Sequence, residues 1–117
     1  MAPLLTFYGD DFTGSTAVME VLSFAGVPTM VFMEAPTPHI LMDYPELQAI
    51  GVASIARTKD PAWMKDNLPG VFTKLKQLGA PISHYKTCST FDSSPDIGSI
   101  GAATELGVAA FDPDWVP

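Results

Sequence analysis

The sequence predicts an α/β fold with a three-layer α/β/α arrangement around a mostly parallel sheet of four to five strands. Short apolar runs of strand length alternate along the chain with longer stretches of helical character. Gly, Pro and Asp separate these stretches at places where elements begin or end. Such alternation favours parallel strands joined by right-handed crossovers.

The first half of the chain predicts two strands and one long helix. A strand is expected over Leu4–Gly9 and a helix over Thr13–Ala25, with Gly26 as the helix stop. A second apolar run of strand length covers Pro28–Met33. The proline-rich segment 34–45 that follows predicts an irregular loop with one short helix.

The middle of the chain predicts a third strand followed by a well-delimited helix. The strand is expected over Ala49–Ser54. Asp60 is a good N-cap, and Pro61 stands at the first helical position, where its missing N–H does no harm. This helix is expected to run to Leu78, with Gly79 directly after its C-terminus.

The last part of the chain predicts a fourth strand and a final helix. The strand is expected over Pro81–Lys86 and the helix over Gly98–Leu106, with Gly107 as its stop. Val108–Phe111 is then expected to open a fifth element. The predicted topology is Rossmann-like, with ligand-binding loops at the carboxyl ends of the strands.

Composition restricts the classes of partner and site. At 117 residues the chain is one domain at most, and its formal net charge of −7 argues against nucleic acid or an anionic membrane as partner. The lone Cys88 excludes an internal disulfide and a cysteine-rich metal site, and we expect it to be buried. No signal peptide or membrane-length apolar run is visible, so a cytoplasmic location is expected.

Two polar loops follow predicted strands and lead into predicted helices. In the first, Asp10 and Asp11 come directly after the first strand. Adjacent residues point in different directions, so one carboxylate is expected to face the cleft and the other to cap the helix, with the choice left open. The carboxylate in the cleft could accept hydrogen bonds from ligand hydroxyls or take a proton from one of them.

The second loop adds hydroxyls, a carboxylate and flexible backbone beside two cations. Arg57 follows the third strand, and a guanidinium can hold a carboxylate through two parallel hydrogen bonds. Lys86 ends the fourth strand. Glycines after the loop would let backbone N–H groups at a helix start approach an anion. The candidate ligand-contacting residues of this loop are Ser89, Thr90, Asp92, Gly98, Ser99 and Gly101.

These motifs resemble the N-terminal domain of the four-carbon acid sugar kinase family. The resemblance runs from about Leu4 to the end of the chain. It rests on the ordered pattern GDDFTG at Gly9–Gly14, then Arg57, then the segment Tyr85–Gly101 with its Lys-x-Cys-Ser-Thr-Phe-Asp-Ser-Ser-Pro motif. Family members are ATP-dependent kinases of tetronates, 3-oxo-tetronates and related sugar acids.

The resemblance implies a substrate-binding half of a two-domain kinase. Asp10 or Asp11 would address the hydroxyl that is phosphorylated, Arg57 and Lys86 would hold the carboxylate, and the second loop would shape the cleft. ATP and Mg²⁺ would bind a C-terminal domain that has no counterpart here, since the chain lacks a phosphate loop and a dinucleotide fingerprint. Residues 1–117 are therefore expected to form a single partial domain without a metal or nucleotide of its own, inactive alone.

Two further expectations concern alternatives and association. A non-catalytic module that binds a small acid, or a truncated remnant of such a kinase, remains an alternative to the kinase reading. An incomplete sheet would expose strand edges, through which the chain could form homo-oligomers. The sequence does not decide among the sugar acids.

Overall fold

A four-stranded parallel sheet with the strand order β2-β3-β1-β4 forms the centre of the computed structural model, which describes residues 2–117. All strand pairs are parallel, as predicted. In chain order the elements are β1 (Leu5–Gly9), α1 (Phe12–Phe24), β2 (Thr29–Phe32), α2 (Pro38–Leu41), β3 (Ala49–Ala53), a 3₁₀ turn (Ala56–Thr58), α3 (Pro61–Gln77), β4 (Ile82–Lys86) and α4 (Ile100–Phe111).

The register of the central strand aligns three strand ends at one edge of the sheet. Gly9 at the end of β1 lies opposite Ala53 at the end of β3 and opposite Lys86 at the end of β4. The residues that follow these strands must therefore leave the sheet side by side. This alignment positions the polar loops relative to one another.

The helices begin where side chains can satisfy their free N–H groups. The Asp11 carboxylate accepts from Gly14 N at 2.8 Å, Asp60 from Trp63 N at 2.8 Å, and the Ser99 hydroxyl from Ala102 N at 3.0 Å. Each such cap is worth about 1 kcal/mol. After α1 and α3 the chain turns through glycines at positive φ, as predicted.

The hydrophobic core lies between the sheet and the pair α3–α4. Tyr8 projects from β1 toward this side, and its ring meets that of Phe72 edge-on at 5.5 Å. Leu68 is fully buried here, so its truncation to alanine would cost roughly 2–5 kcal/mol. Buried residues of this core include Tyr8, Val52, Ala56, Met64, Leu68, Phe72, Leu75 and Ala103.

The opposite face of the sheet is covered by α1. Phe7 alternates with Tyr8 along β1, and its ring fills the space above Gly51, where an added Cβ would lie 2.1 Å from ring atoms. Within α1 only Gly14 and Ser15 are buried, while Val21 and Phe24 are exposed. This face is therefore packed more thinly than the core.

The prediction that Gly107 ends the last helix was wrong, and Val108–Phe111 does not open a fifth element. Helix α4 continues through Gly107 to Phe111. A Cβ at Gly107 would lie 3.9 Å from the Phe72 ring, so the glycine faces α3 in the helix interior. Ala110 and Phe111 continue the apolar stripe into the core, and this packing outweighs the low helix propensity of glycine. Asp112, with φ 46°, provides the C-cap.

Within residues 2–117, no helix is long and apolar enough to cross a membrane.

Candidate functional site

The two polar loops meet at the carboxyl edge of the sheet. Asp10 and Asp11 follow β1, Arg57 lies in the 3₁₀ turn after β3, and the segment beginning at Thr87 follows β4. Arg57 contacts residues of both loops through its guanidinium. The structure thus brings Asp11, Thr90 and Asp92 together around Arg57, whose backbone N–H also bonds to Asp10, whereas Ser99 and Gly101 line a separate recess beside Pro61.

Asp10 is held rigidly at the centre of this position. Its backbone N–H donates to the carbonyl of Lys86 at 3.0 Å, and its own carbonyl accepts from Arg57 N at 3.0 Å. The residue is only 4% exposed. Main-chain bonds to two neighbouring segments therefore fix the backbone of Asp10, and burial restricts its side chain.

The Asp10 carboxylate is only partly satisfied. The backbone N–H of Cys88 acts to lower its pKa, yet Oδ1 is buried without a hydrogen-bond partner in the described part of the chain. Burial raises the pKa of Asp10 and the neighbouring charge of Asp11 raises it further, while the Cys88 N–H, Arg57 and Lys86 act in the opposite direction. A buried, unfilled acceptor is costly, so a ligand hydroxyl that donates to Oδ1 would be stabilised there.

The Asp11 carboxylate, unlike Oδ1 of Asp10, has partners within the protein. Its carboxylate caps α1 by accepting from Gly14 N, and its Oδ2 lies 3.6 Å from Nη1 of Arg57. The hydroxyl of Ser15 donates to the Asp11 carbonyl at 2.7 Å. Asp11 is therefore the capping carboxylate, and Asp10 is the one with an unfilled oxygen.

Close packing between the end of β1 and the start of α1 requires glycine at position 9. A Cβ at Gly9 would lie 1.8 Å from the Ser15 hydroxyl oxygen and 3.1 Å from the Ser15 Cα. Ser15 is fully buried at this contact. The first turn of α1 can consequently lie directly against the strand end and hold Asp10 and Asp11 in place.

Arg57 is already engaged by three side chains. Its Nη2 donates to Asp92 Oδ2 at 3.2 Å and to Thr90 Oγ1 at 3.3 Å, and Nη1 faces Asp11. The side chain of Arg57 is 34% exposed and that of Asp92 is 63% exposed. The hydrogen bond from Thr90 and the contact with Arg57 lower the pKa of Asp92.

Lys86 supplies the second positive charge at this edge. Its side chain lies over the first turn of α1, where a Cβ at Gly14 would be 3.5 Å from Nζ. The Nζ donates to the carbonyl of Thr87. The residue is half-buried at the end of β4, and its charge favours the ionised form of Asp10.

The second loop returns to the body of the protein through Gly98. Its N–H donates to the Lys59 carbonyl at 2.8 Å, and a Cβ there would lie 2.5 Å from the carbonyl oxygen of Arg57. Ser99, which was expected to contact a ligand, uses its hydroxyl as the N-cap of α4. Ser89 is exposed before Thr90, and Gly101 is exposed in the first turn of α4.

Sequence reasoning missed contributions that come from the main chain and from one serine. The Cys88 N–H that reaches Asp10 has no side-chain signature. Ser54 donates its hydroxyl to the Gly9 carbonyl at 2.8 Å and accepts from Ala56 N at 3.2 Å, which fixes the turn that carries Arg57. The position of Ser54 directly after β3 was the feature of the sequence that could have identified it. Cys88 itself is partly exposed and accepts from the Thr90 hydroxyl, so the expectation of a buried thiol was wrong.

An apolar recess lies next to the polar cluster. Its volume is about 280 Å³, and its walls include Phe12, Ile55 and Trp63. Among residues 2–117, no group of three or more His, Cys, Asp or Glu side chains is arranged to hold a metal ion.

Curated relatives are sugar-acid kinases that are much longer than this chain. The 3-oxo-isoapionate kinase of Paraburkholderia graminis is 52% identical over 114 residues, which cover 97% of this chain and 24% of the relative. The 3-oxo-tetronate kinase of Cupriavidus necator is 34% identical over 97% of this chain and 26% of its own length. The chain thus spans about a quarter of the length of the curated relatives it matches.

Two solved structures share the fold. A Salmonella typhimurium LT2 protein provisionally named a tRNA synthase superposes with a TM-score of 0.79 at 27% identity, covering 95% of this chain and 26% of that one. A domain of unknown function from Bordetella bronchiseptica, crystallised with citrate as a domain-swapped dimer, gives a TM-score of 0.77 at 21% identity, covering 92% and 26%.

The family model described as the sugar-binding N-terminal domain matches residues 5–116, which is nearly the whole chain. This match agrees with the ordered motifs around Asp10, Arg57 and Lys86 and with the kinase names of the curated relatives. The chain belongs to the sugar-binding N-terminal domain family.

Proposed function

We propose that this chain binds the sugar acid in a kinase that phosphorylates a four-carbon or related sugar acid on a terminal hydroxyl. The observation that carries the proposal is the buried Asp10 carboxylate with its unfilled Oδ1, set between Arg57 and Lys86. A sugar acid has both groups that this arrangement can bind, a hydroxyl that donates and a carboxylate that accepts.

In this proposal the residues divide the ligand between them. Asp10 accepts the hydrogen bond of the acceptor hydroxyl and draws its proton as the phosphoryl group is transferred, because its raised pKa makes it a better proton acceptor than an ordinary aspartate. Asp11 holds the helix start and the nearby guanidinium. Arg57 and Lys86 bind the ligand carboxylate.

The second loop would enclose the rest of the ligand. Thr90 and Asp92 stand beside Arg57, and Gly98 brings the backbone close to the same turn. In the proposal the hydroxyl of Ser89 and the start of α4 at Ser99 and Gly101 complete the wall. The assignments of Thr90, Asp92 and Gly98 follow from their proximity to Arg57, and the other three follow from donor chemistry alone.

The proposal places the nucleotide outside the part of the longer relatives that this chain spans. Residues 2–117 offer no three-ligand acidic cluster for a metal, and the sequence has no Gly-rich phosphate loop. Since the relatives are kinases four times as long, we assign ATP and Mg²⁺ to a C-terminal domain of the longer proteins. When bound to that domain, ATP with Mg²⁺ would supply the phosphoryl group.

The similarity to a 3-oxo-isoapionate kinase at 52% identity favours a branched 3-oxo acid over the 3-oxo-tetronates, whose kinases are 34% identical or less. We further propose a cytoplasmic protein that associates through strand edges, since the described chain pairs β4 on one side only. Cell fractionation tests the cytoplasmic location, and sedimentation equilibrium tests the association.

The acid-binding role of Arg57 is tested by Arg57→Lys. The charge is kept, but lysine cannot make the two-pronged contact, so affinity for a sugar acid should fall about tenfold. The measurement is isothermal titration of the 117-residue chain with D-threonate. Lys74→Arg, an exposed cation change near the far end of α3, is the control and should bind normally. Equal affinity of Arg57→Lys and the unaltered chain would return Arg57 to a structural role.

A further inference from the structure

We propose that Asp92 is an internal competitor for the Arg57 guanidinium, which a ligand carboxylate must displace. The inference rests on the proposed function, because it requires Arg57 to bind the acid group of the ligand. Before the ligand binds, the Asp92 carboxylate occupies the position on the guanidinium that the ligand carboxylate would take.

The geometry of Arg57 shows the competition. Its Nη2 already serves two acceptors, Asp92 Oδ2 at 3.2 Å and Thr90 Oγ1 at 3.3 Å. Its Nη1 faces Asp11 Oδ2 at 3.6 Å. A two-pronged contact with an incoming carboxylate needs two parallel N–H groups of the guanidinium. The ligand can therefore form this contact only after Nη2 is released.

Displacement of Asp92 is inexpensive. Its side chain is 63% exposed and that of Arg57 is 34% exposed, so water and salt screen the pair. Within the described chain, the hydrogen bonds that join residues 89–92 to other elements go to Arg57. Phe91, between the two contact residues, has φ 54° and is 69% exposed, so its ring does not anchor the segment.

Charge also favours exchange over joint binding. Asp10, Asp11 and Asp92 already surround Arg57 and Lys86, so a further carboxylate added beside Asp92 would meet like charge. When Asp92 leaves as the ligand enters, the number of carboxylates at the guanidinium stays the same. The segment 89–92 would then lose its side-chain bonds to Arg57 and become more mobile.

The test compares Asp92→Asn with Asp96→Asn, an exposed carboxylate in the same loop. Both are titrated with D-threonate by calorimetry. Removing the competitor should tighten binding about two- to fivefold, as expected for an exposed ion pair, and Asp96→Asn should match the unaltered chain. In hydrogen–deuterium exchange, threonate should speed the exchange of amides 89–92 in the unaltered chain.

The outcomes separate the two proposals. Threonate binding that is unchanged or weaker in Asp92→Asn, or exchange of amides 89–92 that slows on binding, would overturn the competition and leave the acid-binding site intact. The gain should vanish in the double variant Arg57→Lys/Asp92→Asn, and its persistence would also overturn the inference. If neither the unaltered chain nor Asp92→Asn binds threonate or a branched 3-oxo sugar acid, the proposed function fails and the competition fails with it.

Discussion

The two loops that meet at Arg57 are built in opposite ways. Residues 9–15 are fixed by main-chain bonds and by a contact with no spare volume, and Asp10 and Ser15 are buried. Residues 88–97 are largely exposed, and they are tied to the body through side-chain contacts with Arg57 and a main-chain anchor at Gly98.

This difference indicates that the first loop can fix the position of site residues and that the second loop can adapt to a ligand. The first loop is bonded through the main chain of Asp10 to Lys86 and Arg57, which suits a group that must meet a reacting hydroxyl. The second loop can rearrange at little cost, which suits a wall that must open for a ligand.

Gly9→Ala should have the largest effect, because the new Cβ would overlap Ser15, whose backbone is fixed in α1. We expect the free energy of unfolding to fall by about 3 kcal/mol. The measurement is urea denaturation followed by circular dichroism. Gly101→Ala at the second loop is the matched control, since its Cβ would meet only the Ser99 Oγ at 3.8 Å. It should be neutral or raise stability by about 0.5 kcal/mol. A mild effect of Gly9→Ala would show that the first loop is not rigid.

Asp10→Asn should raise the Tm at pH 7 by about 2–4 °C, because it removes a buried charge whose pKa is raised by burial and by Asp11. The folded-state pKa lies above the usual 3.8, so ionisation destabilises the fold at pH values above it. Below pH 3.8 aspartate is protonated in both states, and the advantage of Asn should disappear. Calorimetric scans from pH 3 to 7 measure this; a lower Tm at pH 7 would mean that Asp10 is held for stability.

Asp92→Asn should have the smallest effect on the fold, with a change in Tm below about 1 °C, because the ion pair is exposed.

Lys86→Met should likewise leave the Tm unchanged or slightly raised, since the methionine keeps the apolar stem over α1. Scanning fluorimetry is sufficient for both. A loss of several degrees in either variant would make the second loop a structural element as firm as the first.

The sequence was a good guide to the fold because the signals are local. Asp60 with Pro61 marks a helix start, and Gly26 and Gly79 mark helix ends where the structure has them. Gly107 misled because its meaning depends on the Phe72 ring, which comes from another helix. Local sequence carries no record of such a partner.

For the site, the sequence predicted which residues gather but could not predict what they do to one another. Strand ends in a parallel sheet place Asp10, Arg57 and Lys86 at one edge, which pattern alone indicates. The choice between Asp10 and Asp11 required the cap to Gly14, and the Arg57–Asp92 pair required the path of the loop. The functional roles of these residues remain predictions.

The glycine at position 98 has an evolutionary consequence. Its N–H bonds to the Lys59 carbonyl and its missing Cβ makes room for the Arg57 carbonyl, so main-chain contacts help to set the distance from Arg57 to the start of α4. Point mutations elsewhere in the cleft can change what it recognises but leave these contacts in place. Selection for a longer or shorter ligand would have to act through insertions and deletions between Ser89 and Ile97. Loop grafting between the same two residues would allow the same change by design.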